Sequence, residues 1–212
     1  MRVEHVTADL LAQRAAVWVA DRVWAAVADR GVAHVAVSGG RTPAAMFSAI
    51  AGLALPWDRM HVWQVDERVL PDGDPGRNAG QIAVLPAVLH LMAVSLADLD
   101  GAASAYAAEM VAGGAAVLDI VHLGLGDDGH TASWPPGGVP SGEAAVAVVR
   151  AFRGHDRLTL TPAVVARARE RMFLVSGAGK VAVLDRLLGG DRSLPASLVP
   201  AESTAILTDI GT

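Results

Sequence analysis

The strongest constraint on what this chain can fold into is an alternation that runs almost its full length. Short apolar runs that stop at glycine or at a charged cluster trade places with segments whose apolar residues recur at three- and four-residue steps. Residues 33–37 are a run of the first kind, ending at Ser38, Gly39 and Gly40, and such a run between turn signals marks a strand buried on both faces. Residues 8–30 are of the second kind: Leu11, Ala15, Trp18, Val19, Val23 and Val27 share one helical face, and Gly31 supplies the stop. The same reading predicts strands over 60–65, 118–124, 145–149, 158–161, 172–175 and 205–207. It predicts helices over 78–89, 101–111 and 180–188, another from Pro162, and one after the first strand with Thr42 as N-cap and Pro43 in its first turn. Strands separated by helices imply a mainly parallel, doubly wound sheet with helices on both faces, the α/β class. The length of 212 residues suits a single domain over 1–212. Glycine and proline concentrate at 71–80 and 135–142, which read as functional loops rather than linkers.

Composition narrows the function classes. Hydrophobic residues at 52% against 18% charged provide enough apolar surface for a packed core. The net charge of −5, with both signs interspersed, leaves no basic stripe able to neutralise a run of nucleic-acid phosphates. With no cysteine, thiolate nucleophiles, disulfides and Cys-based zinc sites are excluded. The first residues, with Glu4 and Asp9, do not read as a signal peptide, and no stretch of about 18 uncharged apolar residues occurs. A cytoplasmic location with no membrane partner is expected.

Four motifs sit where such a sheet binds ligands, beyond the carboxyl ends of its strands. Ser38-Gly39-Gly40-Arg41-Thr42-Pro43 joins a strand to a helix, and glycine N–H groups, a helix N-terminus and two hydroxyls make a sensible phosphate cradle, although an ordinary βα turn reads the same way. Asp66-Glu67-Arg68 leaves an apolar strand and by itself reads as a solvated loop. In Gly124-Leu125-Gly126-Asp127-Asp128-Gly129-His130-Thr131-Ala132-Ser133 a carboxylate lies two residues from a histidine, a layout that can hold an imidazole's tautomer in an open cleft. Gly177, Gly179 and Lys180 enter a helix, where Lys180 could reach a phosphate.

Taken in order, and with Asn78, Arg157-Leu158-Thr159-Leu160-Thr161 and Pro195-Ala196-Ser197-Leu198-Val199, these motifs resemble the 6-phosphogluconolactonases over 37–209. The resemblance implies hydrolysis of a phosphorylated sugar lactone of the pentose phosphate pathway, with His130 as general base supported by Asp128. Ser38, Gly39, Gly40, Arg41, Thr42, Asp66, Arg68 and Lys180 would bind substrate. No cofactor or metal is called for, and a monomer or small homo-oligomer is expected. Two departures stand out: Trp134-Pro135-Pro136 where the family continues Leu-Phe-Pro, and Arg77 where serine commonly precedes the loop asparagine. The first bears on the pocket wall; Arg77 would lie near the phosphate or in solvent. A glucosamine-6-phosphate deaminase/isomerase is the nearest rival, disfavoured because no carboxylate follows the His130 turn until Glu143. A non-catalytic sugar-phosphate-sensing domain is the other, disfavoured by the lack of a DNA-binding segment.

Overall fold

The computed structural model describes residues 1–211. Strand β1 (Arg2–His5) leads into helix α1 (Ala8–Arg30), which ends where Gly31 turns left-handed at φ 78° and returns its N–H to the Val27 carbonyl, a conformation glycine reaches without steric cost. Strand β2 (Ala33–Val37) is buried along its whole length. Then follow α2 (Arg41–Ala51), β3 (Met60–Gln64), β4 (Asp66–Arg68), α3 (Asn78–Ile82), β5 (Val88–His90) and α4 (Leu99–Ala112), the last capped by Asp98, whose carboxylate accepts from the Gly101 N–H. The second half runs β6 (Ile120–Leu123), β7 (Val146–Phe152), β8 (His155–Leu160), α5 (Pro162–Arg167), β9 (Glu170–Val175), α6 (Val181–Leu188) and β10 (Thr204–Thr208).

Seven strands form one sheet in the order β1-β10-β9-β6-β2-β3-β5, and every pairing in it is parallel. Because side chains alternate across the sheet, it feeds two cores. Val35, Val62, Ile120, Met172 and Leu207 pack with α1 and α2, while Ala36, Trp63, Val121, Phe173 and Ile206 pack with α4, α5 and α6. From β2 the chain winds outward through β3 to β5, then returns to β6 and winds the other way through β9 to β10. The topological switch therefore lies between β2 and β6, and a crevice opens there above the strand ends. No helix of the described residues is long and apolar enough to cross a membrane.

The structure departs from the sequence reading in several places. The expected helix over 78–89 stops at Ile82, and β5 follows, because Pro86 lacks an N–H and biases the residue before it towards extended backbone. Helix α2 begins at Arg41 with Gly40 as N-cap, so Thr42 lies inside the helix. Asp66-Glu67-Arg68 is not a solvated loop: Asp66 and Glu67 are buried in β4, which pairs antiparallel with β8 in a separate three-stranded sheet, β4-β8-β7. In that sheet Arg153 and Gly154 form a two-residue hairpin turn, both with positive φ (50° and 86°), the pattern of a type I′ turn.

Candidate active site

The segments after β2 and β6 lie side by side at the switch, tied by the Ser38 N–H donating to the His122 carbonyl at 3.2 Å. Beneath them, burial pushes the His122 imidazole down to about 3, so this ring is a neutral member of the core. The crevice is a cavity of about 610 Å³, lined by the 38–43 loop, Asp66, Arg68, Asn78, the 124–126 and 130–132 segments, Arg153, Arg157 and Lys180. Gly39 is pressed against Asn78: a Cβ at Gly39 would lie 2.1 Å from Asn78 Oδ1, so only glycine fits. The Gly40 N–H donates to Gln81 Oε1 at 2.8 Å, and the Ser38 hydroxyl is buried with no hydrogen-bond partner among the described residues.

The turn after β6 is locked by its own backbone. Gly126 N–H donates to the His130 carbonyl at 2.8 Å, Gly129 N–H to the Gly126 carbonyl at 2.9 Å, and Ala196 N–H to the Gly129 carbonyl at 3.0 Å. Gly126 also makes room for the catalytic candidate, since a Cβ there would stand 1.9 Å from His130 Nδ1. Asp128 Oδ1 accepts from the His130 N–H at 3.1 Å and lies 2.5 Å from His130 Nδ1, while Arg153 donates to Asp128 Oδ2 at 3.2 Å. An Nδ1–H tautomer serves that contact and leaves the Nε2 lone pair for a proton from water. Burial pushes the imidazole below its ordinary range against the pull of Asp128. For Asp128, burial is outweighed by the hydrogen bonds from the His130 ring and backbone, which hold the carboxyl well below the usual carboxylate range. The pair at neutral pH is thus a carboxylate holding a neutral base.

Asp66 stands across the cavity, accepting from the Ser133 hydroxyl at 2.7 Å and lying 3.8 Å from Arg157. Burial raises its carboxyl above the ordinary range despite that hydroxyl and Arg157. Its neighbour Glu67 is turned inward, accepting the N–H groups of Asn78 and Ala79 at 2.8 Å each, and so fixes the start of α3. Arg68 donates to the Gly76 carbonyl at 2.6 Å, and Lys180 pairs with Asp127. Among the described residues no group of three or more His, Asp or Glu is placed to hold a metal ion.

Residues 6–208 match the family model described as glucosamine-6-phosphate isomerases/6-phosphogluconolactonase. The chain is 36% identical over 191 residues to the 6-phosphogluconolactonase of Synechocystis sp., covering 82% of this chain and 79% of that one. It is 33% identical over 230 residues to the 6-phosphogluconolactonase of Streptomyces coelicolor, covering 96% and 88%. This chain belongs to the glucosamine-6-phosphate isomerase/6-phosphogluconolactonase family. The fold agrees with a crystal structure of a 6-phosphogluconolactonase from Shewanella baltica, TM-score 0.89 at 22% identity, covering 98% of this chain and 97% of that one.

Within this family fold, Ser38, Gly39, Gly40, Arg41, Thr42, Asp66, Arg68, His130 and Lys180 all line one cavity, with Asp128 bonded to His130 from behind. Arg77 does neither thing expected of it. It is buried away from the cavity, pairs with Asp72, lies 3.7 Å from Glu67, and pins the 71–80 loop. Nor does Trp134 form pocket wall: it is fully buried and donates from Nε1 to the Leu160 carbonyl at 2.8 Å. The 135–142 loop lies outside the cavity lining, as does Glu143, which is exposed. Sequence reasoning did not single out Arg153, Thr131 or Asn78 for a role at the cavity, and it named Arg157 only as part of a motif. Neither arginine carries a local sequence signal that points to the cavity, since the positive φ at Arg153 and Gly154 is visible only in the folded hairpin.

Proposed function

We propose that this chain hydrolyses 6-phospho-D-glucono-1,5-lactone to 6-phosphogluconate. The observation that carries the reading is a single cavity in which an aspartate-held neutral imidazole shares the walls with Arg41, Arg68, Arg153, Arg157 and Lys180. An acidic chain concentrates its positive potential where an anionic substrate would sit. His130 takes a proton from a water that attacks the lactone carbonyl. The tetrahedral oxyanion collapses with loss of the ring oxygen, and the proton held on His130 passes to that oxygen, giving the open-chain hydroxyl and a carboxylic acid whose remaining proton is lost to solvent. Asp128 keeps the imidazole oriented, and its charge stabilises the imidazolium formed part-way. The 38–42 loop, Arg68 and Lys180 hold the phosphate, and Asp66 hydrogen-bonds a sugar hydroxyl.

A deaminase/isomerase reading shares the family but needs a further carboxylate for ring opening after the His130 turn; Ser133, Trp134 and Pro135 occupy that stretch, and Glu143 lies outside the cavity lining. We further read residues 1–212 as one functional unit, metal-independent and cytoplasmic, a monomer or small homo-oligomer without nucleic-acid partners. Stopped-flow hydrolysis of freshly generated 6-phosphogluconolactone tests the function against glucosamine 6-phosphate. Turnover of the amino sugar with no acceleration of lactone opening would reverse the assignment. Loss of turnover on dialysis against EDTA, restored by one metal, would end the metal-free reading.

A further inference from the structure

We propose that the Thr131 hydroxyl is a catalytic group that donates a hydrogen bond to the lactone carbonyl oxygen as it becomes the tetrahedral oxyanion. The inference rests on the lactone-hydrolysis reading above and adds to it the group that stabilises the charge formed in the attack.

Thr131 directly follows His130, lines the same cavity and is 1% exposed. Its Oγ1 has no hydrogen-bond partner among the described residues, although the polar groups around it are bonded. The His130 ring faces Asp128, the Ser133 hydroxyl donates to Asp66, the Ser133 N–H donates to Thr159 Oγ1 at 3.2 Å, and the Trp134 N–H donates to the Thr131 carbonyl at 3.0 Å. Next in the chain, Ala132 is held at φ 50°, a left-handed conformation that a residue with a Cβ keeps only when its surroundings impose it. The turn is therefore rigid, and Oγ1 is its idle donor.

A buried hydroxyl with no partner weakens a fold, and valine would fill the same volume without that cost. A group that is unfavourable in the free protein and useful only when something arrives in the cavity is placed for the ligand. Its place beside His130 in the cavity lining argues for the reacting carbon rather than the phosphate, where cations and the N-terminus of α2 already supply charge. A neutral donor gains most where charge develops, which during lactone opening is the carbonyl oxygen. The turn fixes its backbone, and because Oγ1 is itself covered in the free protein, rotation of the side chain is what brings it to the oxyanion.

The decisive comparison is Thr131→Val with Thr131→Ser, read in kcat, KM and Tm with the phosphorylated lactone. Removing one donor of this kind costs about 10²-fold in kcat. The valine variant should show that loss with KM within about twofold and a Tm equal to or above the parent's, because the methyl replaces an unpaired hydroxyl. The serine variant should keep kcat within about threefold, since its hydroxyl can still reach the oxyanion. A valine variant with parental kcat overturns the proposal, and so does one whose KM rises while kcat holds, because the contact would then serve the ground state. A lowered Tm for the valine variant with serine at the parental value also overturns it, since the hydroxyl would then be supporting the fold. If the parent protein itself leaves the lactone unhydrolysed, the failure belongs to the function assigned above and is visible before any variant is made.

Discussion

At the reacting end of the cavity nearly every polar side chain is held by another: Asp128 grips His130, Arg153 grips Asp128, and Ser133 grips Asp66 behind a turn closed through Gly126 and Gly129. At the anionic end the cations are held loosely. Lys180 pairs with the largely exposed Asp127, and Arg41 is itself exposed, although Arg68 is tied to the Gly76 carbonyl. Proton transfer fails if the imidazole moves by a fraction of an ångström, whereas a phosphate is attracted over longer range and tolerates movement in the groups that meet it. The difference teaches that rigidity has been placed where geometry matters and charge where attraction is enough.

The sharpest way to break this comparison is at its rigid end. His130→Ala should leave Tm within a few degrees of the parent and lower kcat by roughly 10²-fold or more. A rate within a few-fold of the parent would move the base to another residue, with Asp66 next to be tested.

The anionic end should respond differently. Lys180→Ala and Arg68→Ala should each reduce kcat/KM for the phosphorylated lactone by roughly 10- to 150-fold, the equivalent of about 1.5–3 kcal/mol for a charge-assisted hydrogen bond. Hydrolysis of the unphosphorylated lactone should scarcely change. Equal losses on both substrates would mean that these residues support the fold or the reacting carbonyl, and the two ends could no longer be treated as separate.

A smaller effect should appear in the pH dependence. In the proposed mechanism the base acts as neutral imidazole, and burial holds its pKa below the ordinary 6.5, so kcat/KM should be flat through neutrality and fall only at more acid pH. Asp128→Asn removes the charge that pulls this pKa upward. The acid limb should therefore move to still lower pH, while the plateau drops as the tautomer is held less firmly. A limb moving towards neutrality would contradict the assigned pair.

Smallest of all is the effect of Asp127, which on the proposed binding mode the phosphate displaces from Lys180. Its carboxyl is held below the usual range by the hydrogen bond from Lys180, but an exposed pair of this kind is worth little. Asp127→Asn should lower KM about twofold with kcat unchanged; a raised KM would show that Asp127 positions Lys180 instead of competing for it.

The parallel sheet was legible because strands buried on both faces are written as unbroken apolar runs, as in β2 and in residues 172–175 of β9. Strand β1 was missed because Arg2-Val3-Glu4-His5 is the polar sequence an edge strand tolerates. Strand β4 was missed because Asp66 and Glu67 read as solvated, and only the folded chain shows that Ser133, Arg157 and the start of α3 satisfy them. The main loops of the site were legible for a related reason: glycine next to Ser38 or His130 at a strand end is a local signal. Arg157 and Arg153 left no such mark. Their place in the site depends on how a hairpin packs across a sheet, and no window of sequence contains that distance.

That hairpin has a consequence for how such a site can change over time. Arg68, Arg153 and Arg157 belong to the small antiparallel sheet and its tip, whereas His130 and Asp128 stand on a turn of the large parallel one. On the proposed roles, part of the substrate recognition thus sits on a different structural layer from the bond-breaking chemistry, and the two layers are joined directly by the Arg153–Asp128 hydrogen bond. A lineage, or a designer, could exchange Arg68 and Arg157 to accept a differently charged sugar, while Arg153 and the turn it holds are inherited unaltered.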